Sequence, residues 1–193
     1  MKTAKGETWP ALVLTAGLGI RLRPLSYVRA KPAMPVAGEP LIRRILAWLA
    51  SHGVGDAVLN LHYKPETITA VVGDGSDLGL RVRYSYEDPI LGTAGGPRQA
   101  LPMIASPRFF IVNGDTLSDV ELGLLAENHE ASGGLVTMAV VAQPDPGRYG
   151  GVNLDADEVI RARCAPPDEA RDGAFRVQVH AAVTPRIRLR DNR

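Results

Sequence analysis

The sequence predicts an α/β fold, a Rossmann-like and mostly parallel sheet with helices on both faces. Two observations carry that reading. Short apolar runs alternate with helical patterns from Ala11 to Ala142, and such alternation packs as a parallel sheet covered on each side. The glycine-rich and acidic segments fall at or just beyond the ends of those runs, where ligands of open parallel sheets bind.

The elements follow in order. Ala11 to Thr15 is a short apolar run bounded by turn residues, as expected of a buried parallel strand. LIRRILAWLA, from Leu41 to Ala50, places Leu41, Ile45, Leu46 and Leu49 on one helical face with Arg43 and Arg44 off it. Gly53 closes that helix, and Asp56 to Leu61 returns as a strand. Pro65 to Val72 reads as a short helix with proline in its first turn. Gly73 to Gly79 is a loop, and Arg81 to Tyr86 alternates like a strand. Gly92 to Gly96 is expected as a glycine turn, with a helix after it to about Ile104. Phe109 to Asn113 is a buried strand, Asp119 to Glu130 a helix capped by Asp119, and Leu135 to Ala142 a further strand. Gly151 to Leu154 and Val159 to Arg163 pattern as a hairpin, and RIRLRDNR ends the chain with no clear element. The resulting division is a ragged N-terminus over residues 1–10, a core domain over 11–165 and an irregular arginine- and proline-rich tail over 166–193.

Composition narrows the function. At 193 residues, 45% hydrophobic and 22% charged, the chain has the makings of one ordinary globular domain. Lys plus Arg number 22 against 21 for Asp plus Glu, which gives no reason to expect nucleic acid or a membrane as partner. The single cysteine, Cys164, forms no internal disulfide and fits a cytoplasmic location. No apolar stretch reaches the ~18 residues of a membrane span, and MKTAKGETWP lacks the long apolar segment of a secretion signal.

The most informative segment is GLGIRLRPLSYVRAKPAMPVAGEP, residues 17–40. Gly17 and Gly19 follow the first strand, and glycines there are expected to take positive φ and let the backbone approach a phosphate. Arg21 and Lys31 add a planar fork and a mobile point charge. The dinucleotide fingerprint fails, because Leu22 stands where a third small residue is needed and Glu39 lies in a proline-bracketed turn. The G-x-x-x-x-G-K-[ST] phosphate loop is absent as well. Asp115, after FFIVNG, would sit at a strand end, where a carboxylate can hold Mg²⁺ against phosphates or simply act in a turn. EDPILGTAGG, Glu87 to Gly96, either lets a flat base or ribose lie on the backbone or makes a tight strand-to-helix connection. Asp155-Ala156-Asp157 is a turn before it is a metal motif, and His52, His62, His129 and His180 show no ligand spacing.

These residues resemble the signature of sugar-1-phosphate nucleotidylyltransferases, G-x-G-T-R-L-x-P-L-T followed by P-K-P-x-x-P-V-x-G-x-P. GDGSDLGLRVRYSYE, LGTAGGPRQAL, FFIVNGD and RYGGVNLD continue the likeness to about residue 155. The nearest members in character are the mannose-1-phosphate guanylyltransferase-like and N-acetylmuramate-1-phosphate uridylyltransferase-like enzymes. The resemblance implies the nucleotide-diphospho-sugar transferase fold and Mg²⁺-dependent transfer of a nucleotidyl group from an NTP to a sugar 1-phosphate. It also implies roles. Ala16, Gly17 and Gly19 would contact nucleotide, Arg21 would grip the β- and γ-phosphates, and Lys31 would neutralise the α-phosphate. Gly92, Thr93, Ala94 and Gly95 would flank the base or sugar, and Asp115 would bind Mg²⁺. The chain departs from the pattern at Ile20, at Ala30 and at Cys164-Ala165-Pro166, where a Glu-Lys-Pro stretch is usual. Members continue past position 193, so the sugar half is expected to be shortened, and a homo-oligomer could cover the surface this leaves. A nucleotide-binding protein of the same fold with weak or no catalysis is the second reading.

Overall fold

Alternation along ALVL sets the layers. In strand β1, Ala11–Leu14, Ala11 and Val13 belong to one buried apolar cluster while Leu12 and Leu14 belong to another, as the two-residue repeat of a strand requires. The computed structural model describes residues 9–142 and 175–183. The chain divides into two compact units, Met1–Thr137 with Ala181–Arg193, and Met138–His180.

In the first unit a two-residue turn, Ala37 and Gly38, both at positive φ, joins β2 (Pro35–Val36) to β3 (Glu39–Pro40). Helix α1 follows at once as Leu41–Ser51, and β4 is Asp56–Leu61. Helix α2 is Pro65–Val72, β5 is Arg81–Tyr86, α3 is Gly92–Ala100, β6 is Phe109–Asn113 and α4 is Leu122–Ser132. Strands β5, β4, β1 and β6 lie side by side in that order and pair in parallel, with Leu14 opposite both Asn60 and Asn113. One face is covered by Leu41, Ile42, Ile45, Leu46 and Leu49 of α1, Ile68 and Val72 of α2, and Leu122, Leu125 and Ala126 of α4. On the other face Ala100 of α3 and Ile104 pack with Leu12, Val58 and Phe109 of the sheet. The sheet is therefore covered on both sides, as the strand–helix alternation predicts.

The arginines off the apolar face of α1 tie it to its surroundings. Arg43 donates to the Val71 carbonyl at 3.0 Å and to Asp77 at 2.6 Å, and Arg44 donates to the carbonyls of Val36 and Ala37 at 3.0 and 3.2 Å.

Three expectations need correction. Gly92 to Gly96 is not a turn ahead of a helix. Gly92 takes a left-handed conformation (φ 74°) and is itself the first residue of α3, which ends at Ala100 with a 3-10 turn after it. Helix α4 starts at Leu122 with Glu121 at its N-cap, so Asp119 caps nothing. Ser118 turns the chain there by accepting from the Val120 amide. Part of the tail read as irregular forms strand β8, Phe175–Val183, which neighbours β7, Val136–Ala142. Phe175, Val177 and Val179 alternate there with Arg176, Gln178 and His180, a strand pattern set within a proline- and arginine-rich stretch. The expected hairpin over 151–163, Asp155, Asp157, Cys164-Ala165-Pro166 and the arginines beyond 183 lie outside the described residues. Among the described residues no helix is long and apolar enough to cross a membrane.

His129 on α4 is 2% exposed, with Nδ1 2.9 Å from Thr137 Oγ1 and its ring edge-on to Trp9. Burial, helped by Arg108 and opposed by Glu130, holds it below the ordinary histidine range. The folded state keeps a neutral ring where the unfolded chain takes up a proton, so stability falls as pH drops below about 6.5. Denaturant melts between about pH 7.5 and 5.5 should show this loss, with a shallower slope in His129→Gln.

Candidate active site

Parallel pairing places the carboxyl ends of β5, β4, β1 and β6 along one edge, and the residues at those ends are joined. Thr15, directly after β1, donates its amide to Asn60 Oδ1 at 2.8 Å and its hydroxyl to the Asn60 carbonyl. Asn60 Nδ2 donates to Glu87 Oε1 at 2.7 Å, and Glu87 Oε2 accepts from the Leu91 amide at 2.8 Å. Thr15, Asn60 and Glu87 are all buried. The Glu87 amide donates to the Leu61 carbonyl at 2.8 Å, and the ring of His62 lies 3.0 Å from the Glu87 carbonyl. On the other side, the Gly114 amide donates to the Leu14 carbonyl at 2.9 Å. That bond sets Asp115 beside the start of the glycine loop.

Lys31 and Asp115 meet across 84 residues, with Nζ 2.6 Å from Oδ2 and side chains 32% and 36% exposed. The backbone under Lys31 is anchored. Ala30 is fully buried and its amide donates to Thr67 Oγ1 at 3.0 Å, while Thr67 in turn donates to the Lys64 carbonyl at 2.7 Å. Pro32 and Ala33 are buried in the same 3-10 turn. The glycine loop folds back over this lysine, because a Cβ on Gly19 would lie 3.5 Å from Lys31 Cβ and 3.3 Å from Ser26 Cβ. Tyr63 holds the far arm of the loop by donating to the Ser26 carbonyl at 2.9 Å.

The remaining expected residues occupy the same edge. Ala16 is buried two residues beyond β1 and Gly17 is exposed. Gly19 has φ 63°, as expected, but Gly17 is not among the residues at positive φ. Nothing lies within 4 Å of where its Cβ would be, so its lack of a side chain leaves open space at the loop instead of permitting a turn. Arg21 stands exposed in the 3-10 turn Ile20–Leu22, and among the described residues no ion pair or hydrogen bond joins it to Lys31 or Asp115. Gly92, Thr93, Ala94 and Gly95 form the first turn of α3, where amides lack intrahelical acceptors and favour a polar or anionic ligand. The backbone is thus the tight strand-to-helix connection, with the first turn of α3 at its mouth.

Asp115 is the one carboxylate of the pair, and among the described residues no group of three or more acidic, His or Cys side chains could hold a metal. That donor set still fits Mg²⁺, which binds through one or two carboxylates with substrate phosphates and water completing its shell.

Sequence reasoning missed Thr15 and Asn60, and took Glu87 only as the start of a small-residue stretch. One signal was available: Asn60 interrupts DAVLNL, and a polar residue inside a buried strand needs a partner.

The Nucleotidyl transferase family model matches residues 10–170. This chain belongs to the nucleotidyl transferase family. It is 34% identical over 170 residues to the mannose-1-phosphate guanylyltransferase of Mycobacterium tuberculosis, covering 86% of this chain and 47% of the relative. It is 42% identical over 112 residues to the N-acetylmuramate alpha-1-phosphate uridylyltransferase of Neisseria meningitidis, covering 58% of this chain and 48% of that one. The chain thus spans about half the length of these two curated relatives. Among solved structures, HddC from Yersinia pseudotuberculosis complexed with GMP-PN matches with a TM-score of 0.78 at 25% identity, covering 92% of this chain and 77% of that one. A Bacillus anthracis protein solved with sucrose superposes with a TM-score of 0.82 over 92% of this chain and 72% of its own, at 19% identity, a likeness of fold alone.

A Cβ on Gly96 would fall 2.1 Å from Glu87 Oε1 and 2.7 Å from Asn60 Nδ2. Alanine gains up to about 1 kcal/mol of helix propensity over glycine, but forcing a buried carboxylate off its donors costs more. Gly96→Ala should therefore destabilise by about 2 kcal/mol in denaturant melts, whereas Gly17→Ala should stay within about 0.5 kcal/mol of wild type.

Proposed function

We propose that this chain provides the nucleotide site of a sugar-1-phosphate nucleotidyltransferase, using an NTP and a sugar 1-phosphate to make NDP-sugar and pyrophosphate. A phosphate oxygen of the sugar 1-phosphate attacks the α-phosphorus in line. A new P–O bond forms there, the α–β bridge breaks, and pyrophosphate leaves. No covalent enzyme intermediate is required, so the protein's work is positioning and charge neutralisation. The observation that carries the reading is the Lys31–Asp115 pair at 2.6 Å beside the glycine loop, within a chain of the nucleotidyl transferase family similar to a mannose-1-phosphate guanylyltransferase and an N-acetylmuramate alpha-1-phosphate uridylyltransferase.

Each residue then has a task. The open space at Gly17 and the first turn of α3 admit the nucleotide. Arg21, exposed on its turn, closes on the β- and γ-phosphates and steadies the leaving pyrophosphate. Lys31 neutralises charge at the α-phosphate. Asp115 would hold Mg²⁺, which would supply charge screening at the phosphate oxygens.

Pyrophosphate release, measured with Mg²⁺, ATP, GTP, CTP or UTP and a panel of sugar 1-phosphates, tests this reading. Turnover with one pair is expected, and Lys31→Ala should lower kcat by about 100-fold or more. Asp115→Asn should move Mg²⁺ activation to higher concentration. NTP binding in calorimetry with no pyrophosphate released from any pair would refute the enzymatic reading and leave a nucleotide-binding protein.

A further inference from the structure

Glu87 is a buried carboxylate whose two oxygens each accept one hydrogen bond, neither from a cationic side chain. An ion that is buried without a counter-ion costs stability unless its charge is put to use in hydrogen bonds. What those bonds connect is informative. Leu91 is the residue before α3, and Thr15 is the residue before Ala16 and Gly17. The line Leu91–Glu87–Asn60–Thr15 therefore crosses the ends of β5, β4 and β1 and ties the root of one glycine segment to the root of the other.

We propose that Glu87, acting through Asn60, is a positioning residue that holds the glycine loop after β1 and the first turn of α3 at a fixed separation for the nucleotide. This rests on the reading of the site as an NTP site. The relay has only one satisfying polarity. The Thr15 amide can only donate, so the oxygen of Asn60 must face it and the NH₂ of Asn60 must face Glu87. The Leu91 amide can also only donate. Position 87 must then supply two acceptors, which a carboxylate does and a carboxamide does not. Glu87→Gln, though isosteric, sets an NH₂ against one of two donors. Lys31 and Asp115 are not members of this relay. Its loss should weaken nucleotide binding more than the chemical step.

The same polarity argument supplies a rescue, the double variant Asn60→Asp with Glu87→Gln. The carboxylate then stands at position 60, where it accepts from the Thr15 amide and from the carboxamide NH₂ at position 87. The carboxamide oxygen at position 87 accepts from the Leu91 amide. Every donor is again satisfied, while the charge has moved by one strand. The experiment measures calorimetric affinity for ATP, GTP, CTP and UTP, with kcat and KM for the NTP that turns over, in wild type, both single variants and the double variant. Each single variant should raise Kd and KM for the NTP about tenfold, with a smaller change in kcat, and the double variant should return to within about threefold of wild type. Wild-type affinity in Glu87→Gln overturns the proposal. So does a double variant as weak as the singles, because the nucleotide would then be meeting the Glu87 charge itself. A wild type that binds no NTP refutes the site reading instead. The relay is then judged by hydrogen exchange in the unliganded protein, where the Thr15 and Leu91 amides should exchange faster in each single variant and recover in the double. Unchanged exchange in the single variants overturns it.

Discussion

The parallel register of β1 with its two neighbours is the constraint on which the site depends. Leu14 faces Asn60 on one side and Asn113 on the other, so the residues following these positions are delivered to one edge at a common level. Antiparallel pairing would send alternate strand ends to opposite edges. Here Thr15, Asn60, Glu87 and Gly114 arrive as neighbours, and side-chain and backbone hydrogen bonds join them in the order of the strands. The apolar cores on both faces hold that register, because a slip by one residue would exchange Ala11 and Val13 with Leu12 and Leu14 between layers of different size.

Polar groups along this edge are of two kinds, and magnitude separates them. The Lys31–Asp115 pair is about one-third exposed on each side, and ion pairs at that exposure contribute at most about 1 kcal/mol. Its stability value is small; its significance is that a mobile cation and a carboxylate are stationed together on an open surface. Glu87 and Asn60 are each 4% exposed, and the loss of either partner leaves a buried group unsatisfied, at about 1–3 kcal/mol or more for a charged one. One pair is free to exchange partners with a ligand, whereas the other is committed to the scaffold.

Much of the architecture was legible in the sequence because strand and helix periods are local. ALVL, DAVLNL, FFIVN and LIRRILAWLA each carry their own pattern and form the expected elements. What was illegible is non-local or ambiguous in composition. Asp119 and Ser118 are both good capping residues, yet the helix waits until Leu122, whose side chain is 1% exposed in the core. Packing chose the start that chemistry left open. Strand β8 does alternate, with Phe175, Val177 and Val179 against Arg176, Gln178 and His180, but the proline- and arginine-rich composition around it points to an irregular tail. At the site, Lys31 and Asp115 are recognisable as residue types, but only the fold shows that they touch, and the Thr15–Asn60–Glu87 line has no contiguous sequence pattern at all.

The glycines make the same point from the opposite direction. A glycine-rich motif invites a single explanation, yet the glycines here answer different demands. Gly19 supplies a left-handed turn that lays the loop over Lys31. Gly96 and Gly114 make room, since a Cβ would lie 2.1 Å from Glu87 Oε1 in one case and 2.4 Å from Thr15 Cγ2 in the other. Gly17 does neither, having no positive φ and nothing within 4 Å of an added Cβ. A glycine required by neither conformation nor internal packing fits a position kept clear for something outside the fold, and Gly17 lies in the loop that begins beside Asp115. Gly19, Gly96 and Gly114 build the edge and Gly17 leaves it open, a division of labour consistent with the proposed approach of a phosphate to the loop after β1.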